Sequence, residues 1–292
     1  MQEITPGIYT EDRFGPYNLG LITLDNGGLI IDAPPRAADV RQWITEAQEI
    51  VGTLRYVVLT GFHPDRILGA ALSKLPTIAT EATARQLAAL DEKSWHEMLQ
   101  AAHERHKESF ETLVGNHPSK VHLAFEHHLR LHHRSPALEI EAIAGAAPGS
   151  LWLIVPDQKL LFTGDSVVTD APPVVEYTPD SQAWLKTLAM LARRTSVQKI
   201  AQGRGTPVVM HGDIESQREF MRVIRHTART LSRETPPGTG VARATQELQQ
   251  AFFPALPRHS EAVQRIQRGL DHLIAELLAP HDEGESDESE EE

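Results

Sequence analysis

The sequence predicts an α/β fold with mixed β-sheets. Three observations carry this. Apolar runs of strand length alternate with stretches of helical periodicity over residues 19–80. A second block of strand-like runs begins near residue 138 and ends near residue 210. Amphipathic helical stretches accompany both blocks, the traffic expected of a layered α/β architecture.

In order along the chain, Leu19 to Leu24 and Leu29 to Asp32 flank "DNGG", a hairpin signal because Asn and Gly tolerate positive φ. Val40, Trp43, Ile44, Ala47, Ile50 and Val51 recur at i, i+3, i+4, i+7 spacing and predict a helix with one apolar face. "RYVVLT" reads as a buried strand, "DRILGAALSKL" contains a helix, and "PTIAT" a short strand. Residues 80–116 read as helical throughout. "LEIEAIA" alternates as a strand does, and "LWLIV" and "KLLFTG" flank a "PDQ" turn. "SQAWLKTLAMLARR" is an amphipathic helix with Asp180 or Ser181 as its cap. "QKIA" and "PVVM" are short strands around "QGRGT". A long helix follows from Ile214, "PPGTG" ends it, and two more helical stretches precede the C-terminal tail.

A chain of 292 residues can bury a sizeable core, and its 40% hydrophobic and 23% charged residues are those of a soluble globular protein. There is no run of apolar residues of membrane-spanning length and no secretory leader pattern, so a cytoplasmic location is expected and a membrane partner is not. With no cysteine, any metal requires His and carboxylate ligands. The last eleven residues, 282–292, hold eight acids and no base, and predict a disordered acidic tail. Taking those eight from the net charge of −12 leaves −4, a mildly acidic body that argues against a nucleic-acid surface.

Four motifs in order carry a resemblance. Thr60–Arg66 is "TGFHPDR", directly after a buried strand; Gly145–Ser150 is "GAAPGS"; a hairpin ends "FTGD" at Asp165; and Gly203–Gly205 is "GRG". "LIIDAPP" adds an early strand. This punctuation resembles that of the metallo-β-lactamase-fold hydrolases over roughly residues 5–230. The resemblance implies a four-layer αββα sandwich of two mixed β-sheets. It sets a domain of residues 1–235 with a helical insertion at about 80–116, a C-terminal helical extension at 236–281, and then the tail.

The resemblance also implies seven metal-ligand positions, and this chain keeps three of them. His63, Asp65 and Asp165 are retained; Gly61, Arg66, Ala146 and Arg204 stand where the family has histidines. The first metal keeps His63 and Asp165, the second Asp65 and Asp165, and neither reaches the three protein ligands of a catalytic zinc. No bound metal is expected. Without one, water keeps a pKa near its bulk value and no hydroxide nucleophile forms at neutral pH. Two of the replacements are arginines at the second metal's position, where Asp65 and Asp165 otherwise repel. Arg66 and Arg204 are therefore expected to form buried ion pairs with Asp65 and Asp165. The competing reading leaves both arginines in solvent.

Three functions follow. The first is a non-catalytic pseudo-hydrolase that binds a small anionic ligand or a protein partner. The second is a hydrolase of an ester-type or anionic molecule with a reduced or metal-free site, His63 with Asp65 or Asp165 acting as base, and zinc or another divalent ion if a metal survives. The third is an assembly role, in which Ala262, Ile266, Leu270, Ile274 and Leu277 form an apolar stripe that packs on its own domain or makes a homodimer. Other histidines are weighed as ligands. His211 lies seven residues past Arg204; His96, His103 and His106 share a helical stretch; His127, His128, His132 and His133 lie in "FEHHLRLHH". Adjacent histidines on a strand point to opposite faces, so neither of those pairs chelates one ion through both rings.

Overall fold

The computed structural model describes residues 1–132, 137–258 and 260–279. The chain opens with β1 (Gln2–Thr5), β2 (Ile8–Glu11), β3 (Leu19–Leu24) and β4 (Gly27–Ile31), an antiparallel meander. Helix α1 (Ala37–Val51) leads to β5 (Leu54–Val58), and α2 (Pro64–Ser73) to β6 (Thr77–Thr80). Next come α3 (Glu81–Ala89), α4 (Glu92–His106) and α5 (Phe110–Leu113), and then β7 (Val121–Phe125). Strands β4 to β7 pair in parallel, completing a seven-stranded sheet in chain order.

The second sheet comprises β8 (His128–Leu131), β9 (Leu138–Ala142), β10 (Leu151–Val155), β11 (Leu160–Gly164), β12 (Lys199–Gln202) and β13 (Val208–Met210). Its β11–β12 pair is parallel because α6 (Ser181–Leu191) crosses between them; its other pairs are antiparallel. Helices α7 (Ile214–Leu231), α8 (Val241–Phe252) and α9 (Glu261–Leu278) follow. None of the helices among the described residues is long and apolar enough to cross a membrane.

Period-two alternation along the strands builds the layers. Leu29 and Ile31 face the core between the sheets, while Ile30 faces Trp43 of α1 and Ile67 of α2. Leu151, Leu153 and Val155 likewise face the first sheet, and Trp152 and Ile154 face Trp184 of α6 and Phe220 and Ile224 of α7. Three apolar cores thus separate four layers, helices–sheet–sheet–helices, as the resemblance implies. Asp180 caps α6, its Oδ1 accepting the Ala183 N–H at 2.8 Å.

Three local expectations change. Strands β1 and β2, each four residues long and joined through Pro6 and Gly7, go unread in the sequence. The 80–116 insertion is three helices rather than one continuous run: Asp91 caps α4, and α4 stops where Lys107 adopts φ 54. "FEHHLRLHH" divides between sheets, β7 ending at Phe125 in one and β8 starting at His128 in the other. His133 and residues 280–292, the acidic tail among them, lie outside the described residues.

The C-terminal helices close over the second sheet. Ile266, Leu270 and Ile274 join the core formed by α6, α7 and α8, with Leu277 packed against its edge and Ala262 half-buried. The chain's own domain therefore covers most of this stripe, the packing expected as the alternative to a homodimer contact. Leu270 is fully buried, so Leu270→Ala is expected to cost about 2–5 kcal/mol. Urea unfolding checks this: the midpoint should fall with the slope unchanged, and an unmoved midpoint would mean that α9 is not part of the cooperative unit.

Candidate functional site

Strand ends assemble the site. Asp32 follows β4, Thr60 to Arg66 follow β5, Asp165 follows β11, and Gly203 to Gly205 follow β12, so the groups gather outside the carboxyl ends of parallel strands. Glycine permits the approach. Gly164 has φ 53, and a Cβ there would lie 2.4 Å from Thr60 Oγ1; one on Gly203 would lie 2.5 Å from the Gly164 carbonyl carbon. The Asn18 N–H donates to Gly203 O at 2.8 Å and its Nδ2 to the carbonyls of Gln202 and Gly205, tying the first sheet to the second.

Asp165 is the hub. Its Oδ1 accepts from Arg66 Nη2 at 2.8 Å and Arg204 Nε at 3.0 Å, and its Oδ2 accepts from Arg204 Nη2 at 3.3 Å. Arg66 Nη2 also donates to Gly203 O, and its Nη1 lies 3.5 Å from Asp32 Oδ2. Asp32 itself accepts from the Thr60 N–H and hydroxyl. Both guanidinium groups lie over the ring of Tyr17, 5.3 Å and 4.9 Å from its centroid. A cation over a ring face gains roughly 0.5–2 kcal/mol.

Asp65 takes different partners from those expected. Its Oδ2 accepts from the Tyr17 hydroxyl at 2.7 Å, and its Oδ1 from His106 Nε2 at 2.9 Å and Arg105 Nη1 at 3.2 Å. Arg66 and Arg204 pair with Asp165 and Asp32, and Arg105 and His106 of α4 serve Asp65. The reason is geometric: Asp65 and Arg66 are consecutive residues in the first turn of α2, about 100° apart around the helix, and face different neighbours.

His63 is the N-cap of α2. Its Nδ1 accepts the Asp65 N–H at 3.2 Å, with Pro64 at the first helical position. That bond puts the ring proton on Nε2. Tyr177 meets the ring edge to face at 4.8 Å. Burial first, then the charge of Arg204, pushes the His63 pKa down to about 3, so the imidazole is neutral at pH 7. Burial works against ionisation of Asp165, but Arg204 and Arg66 outweigh it and hold the carboxyl well below its usual range. Asp65 moves the same way: burial opposes, and the His106 hydrogen bond with the charges of Arg204 and Arg105 prevails. Burial raises Asp32, with Arg66 and Thr60 opposing.

The other ligand positions are packed with protein atoms. A Cβ on Gly61 would lie 3.3 Å from Ser150 Oγ, and Ala146 belongs to the core beneath the second sheet. His211 bonds Leu191 O at 2.7 Å and is held at the end of α6. His96 and His103 flank Phe110, while His106 turns to Asp65. Among the described residues, no three or more His, Cys, Asp or Glu are grouped to hold a metal ion. Residues the sequence reading missed are Tyr17, Asp32, Arg105 and Arg265. Asp32 carried a signal, an acid ending an apolar strand inside "LIIDAPP"; the others sit outside every motif.

Beside this network lies a cavity of about 220 Å³, lined by Tyr17, His63, Asp65, Arg204 and residues of α4 and α9, notably Arg105 and Arg265. The fold and these strand-end loops define a class: the chain belongs to the metallo-beta-lactamase superfamily, whose family model matches residues 12–225. Solved structures agree on the fold. A metallo-beta-lactamase family protein from Thermus thermophilus is 18% identical over 94% of each chain, with a TM-score of 0.65. The metallo-beta-lactamase from Pontibacter korlensis is 14% identical, covering 76% of this chain and 97% of its own, with a TM-score of 0.58. The sec-alkylsulfatase Pisa1 from Pseudomonas sp. is 15% identical over 94% of this chain, at a TM-score of 0.66, and this chain spans 50% of that protein's length. The comparison with curated proteins finds no match.

Two outcomes are expected. Arg204→Ala leaves Asp165 with one cation in a buried setting and should cost about 3–5 kcal/mol, read by chemical denaturation; an unchanged stability would remove the ion pair from any structural role. The second concerns pH. A histidine whose pKa falls from 6.5 to about 3 on folding binds fewer protons when folded. Its contribution is complete above about pH 6.5 and is lost toward pH 3, at up to about 1.4 kcal/mol per pH unit. Asp65 and Asp165, held low, lose theirs only below the ordinary aspartate value of 3.8. Stability measured from pH 7 to pH 4 should therefore fall more steeply for the parent than for His63→Gln, and parallel curves would contradict the buried neutral ring.

Proposed function

We propose that this chain is a non-catalytic member of its superfamily, a pseudo-hydrolase with a binding or structural role. One observation carries the reading: both oxygens of Asp165, at the position the family resemblance gives to the bridging metal ligand, are held by the guanidinium groups of Arg66 and Arg204. Those cations supply the positive charge that a metal supplies in the family. They cannot coordinate water, lower its pKa or deliver hydroxide. The family's metals do not fit the side chains present, since no donor set of three surrounds either position among the described residues.

Metal-free hydrolysis by these groups is also poorly supported. A general base needs an accessible lone pair with a pKa near the working pH. His63 accepts the Asp65 N–H through Nδ1 and carries its proton on Nε2. Asp65 and Asp165 are engaged by hydrogen bonds and held well below the usual carboxylate range, so each is a weak base at pH 7.

Elemental analysis of untagged protein tests the reading. Substoichiometric zinc, iron and manganese are expected, with no turnover of phosphate-ester, thioester or lactone substrates when zinc is added. A stoichiometric ion lost on substitution of His63, Asp65 or Asp165 would overturn it.

A further inference from the structure

Arg265, on α9, lies beyond the residues that match the family model and feels the charges of Arg204 and Asp165 without bonding to either. It is only 9% exposed, yet it has no carboxylate partner among the described residues. Its hydrogen bond there is from Nη1 to the Pro172 carbonyl at 3.0 Å, and a guanidinium carries five N–H donors. Burial and repulsion from Arg204, opposed by the charges of Asp165, Glu176 and Glu261, bring its pKa down to about 10, and it remains a cation at pH 7.

Each carboxylate lining this cavity already has a cationic partner. Glu176 and Glu261 both pair with Arg268, each at 2.6 Å, and Asp65 is held by Tyr17, Arg105 and His106. Asp165 already faces two cations. His63 adds an Nε2–H to the same cavity. Arg265 is therefore the buried cation here whose N–H donors are uncommitted to a carboxylate, and the ligand that matches it is an acceptor with negative charge. Arg204 and Arg265 also line a neighbouring cavity of about 400 Å³, walled partly by Pro16, Ala171 and Ala262, with Asp12 and Glu261 also on its lining. A head group on the two arginines leaves space there for a small organic body.

We propose that Arg265, with Arg204 beside it, anchors the oxyanion of a small organic acid or phosphate ester in this cavity. The inference rests on the proposed function only in taking Asp165 as neutralised by Arg66 and Arg204.

The test is calorimetric titration of the full chain, after chelator treatment, with benzoate and with phenyl phosphate. Binding of at least one is expected at a Kd on the order of 1 mM or tighter. The preferred probe identifies the head group as carboxylate or phosphoryl. Arg265→Gln should weaken binding about tenfold or more, equivalent to about 1.4 kcal/mol, while the exposed Arg243→Gln should leave it unchanged. Should Arg265→Gln fold poorly, Arg105→Gln on α4, which lines the same cavity, is expected to weaken binding about threefold. Failure of both probes at about ten times that concentration, or parent-like binding by Arg265→Gln or Arg105→Gln, overturns the assignment. Elemental analysis of the same samples reports on metal separately, so loss of the anion site and loss of the metal-free reading appear in different measurements.

Discussion

The carboxylate of Asp165, caught between Arg66 and Arg204, joins the two halves of the molecule. Arg66 comes from α2 at the edge of the first sheet; Asp165 and Arg204 end two strands of the second. Opposite charges about 4 Å apart gain roughly 4 kcal/mol at an effective dielectric constant near 20. That gain has to offset the desolvation of three buried ions. Three supports tip the balance: the short contacts, the Gly203 carbonyl on Arg66, and the Tyr17 ring beneath both guanidinium groups. None of the three ions is individually stable in an apolar interior, so the cluster forms as a unit, and the loops at four strand ends take their positions from it.

A second electrostatic unit sits alongside and is kept apart. Asp65 follows His63 by two residues and precedes Arg66, yet its partners come from α4 and from the segment before β3. The helical turn separates the side chains of Asp65 and Arg66, so two carboxylates that share a metal in the resemblance bond to different cations, with the charge of Arg204 favouring both. Their mutual repulsion is relieved without any ion between them. The neutral imidazole of His63 fits the same logic, because a third cation buried beside Arg204 would be unfavourable.

Two helices shape what remains accessible. Helix α4 supplies Arg105 and His106, and α9 supplies Arg265 and Arg268. Helix α9 also braces the loop after Asp165: Arg265 bonds Pro172, Arg268 pairs with Glu176, and His272 donates to the Thr178 carbonyl. The cavity is thus roofed by α4 and α9, while its floor is made of the loops at the strand ends. Similarity to solved structures at 14–18% identity extends to the fold alone.

Much of the architecture was legible in the residues themselves. Period-two runs, helical periodicity, and glycine-bearing loops at strand ends are local properties that gave the fold class, and the resemblance carried by the loop motifs implied one site for His63, Asp65, Asp165, Arg66 and Arg204. That Gly61, Ala146 and two arginines stand where the family has imidazoles is what the resemblance implies. Pairing was another matter. Tyr17 reaches Asp65 across 48 residues and Arg66 reaches Asp165 across 99, so strand register and helix phase, rather than any local pattern, choose the partners. Asp32, Arg105, His106 and Arg265 entered the site for the same reason: a charged side chain on a helix or loop reads as solvated until packing closes around it. The sequence determined which chemical groups were present and which were missing; the tertiary structure alone decided which charges were neutralised and that Arg265 was left without a carboxylate partner among the described residues.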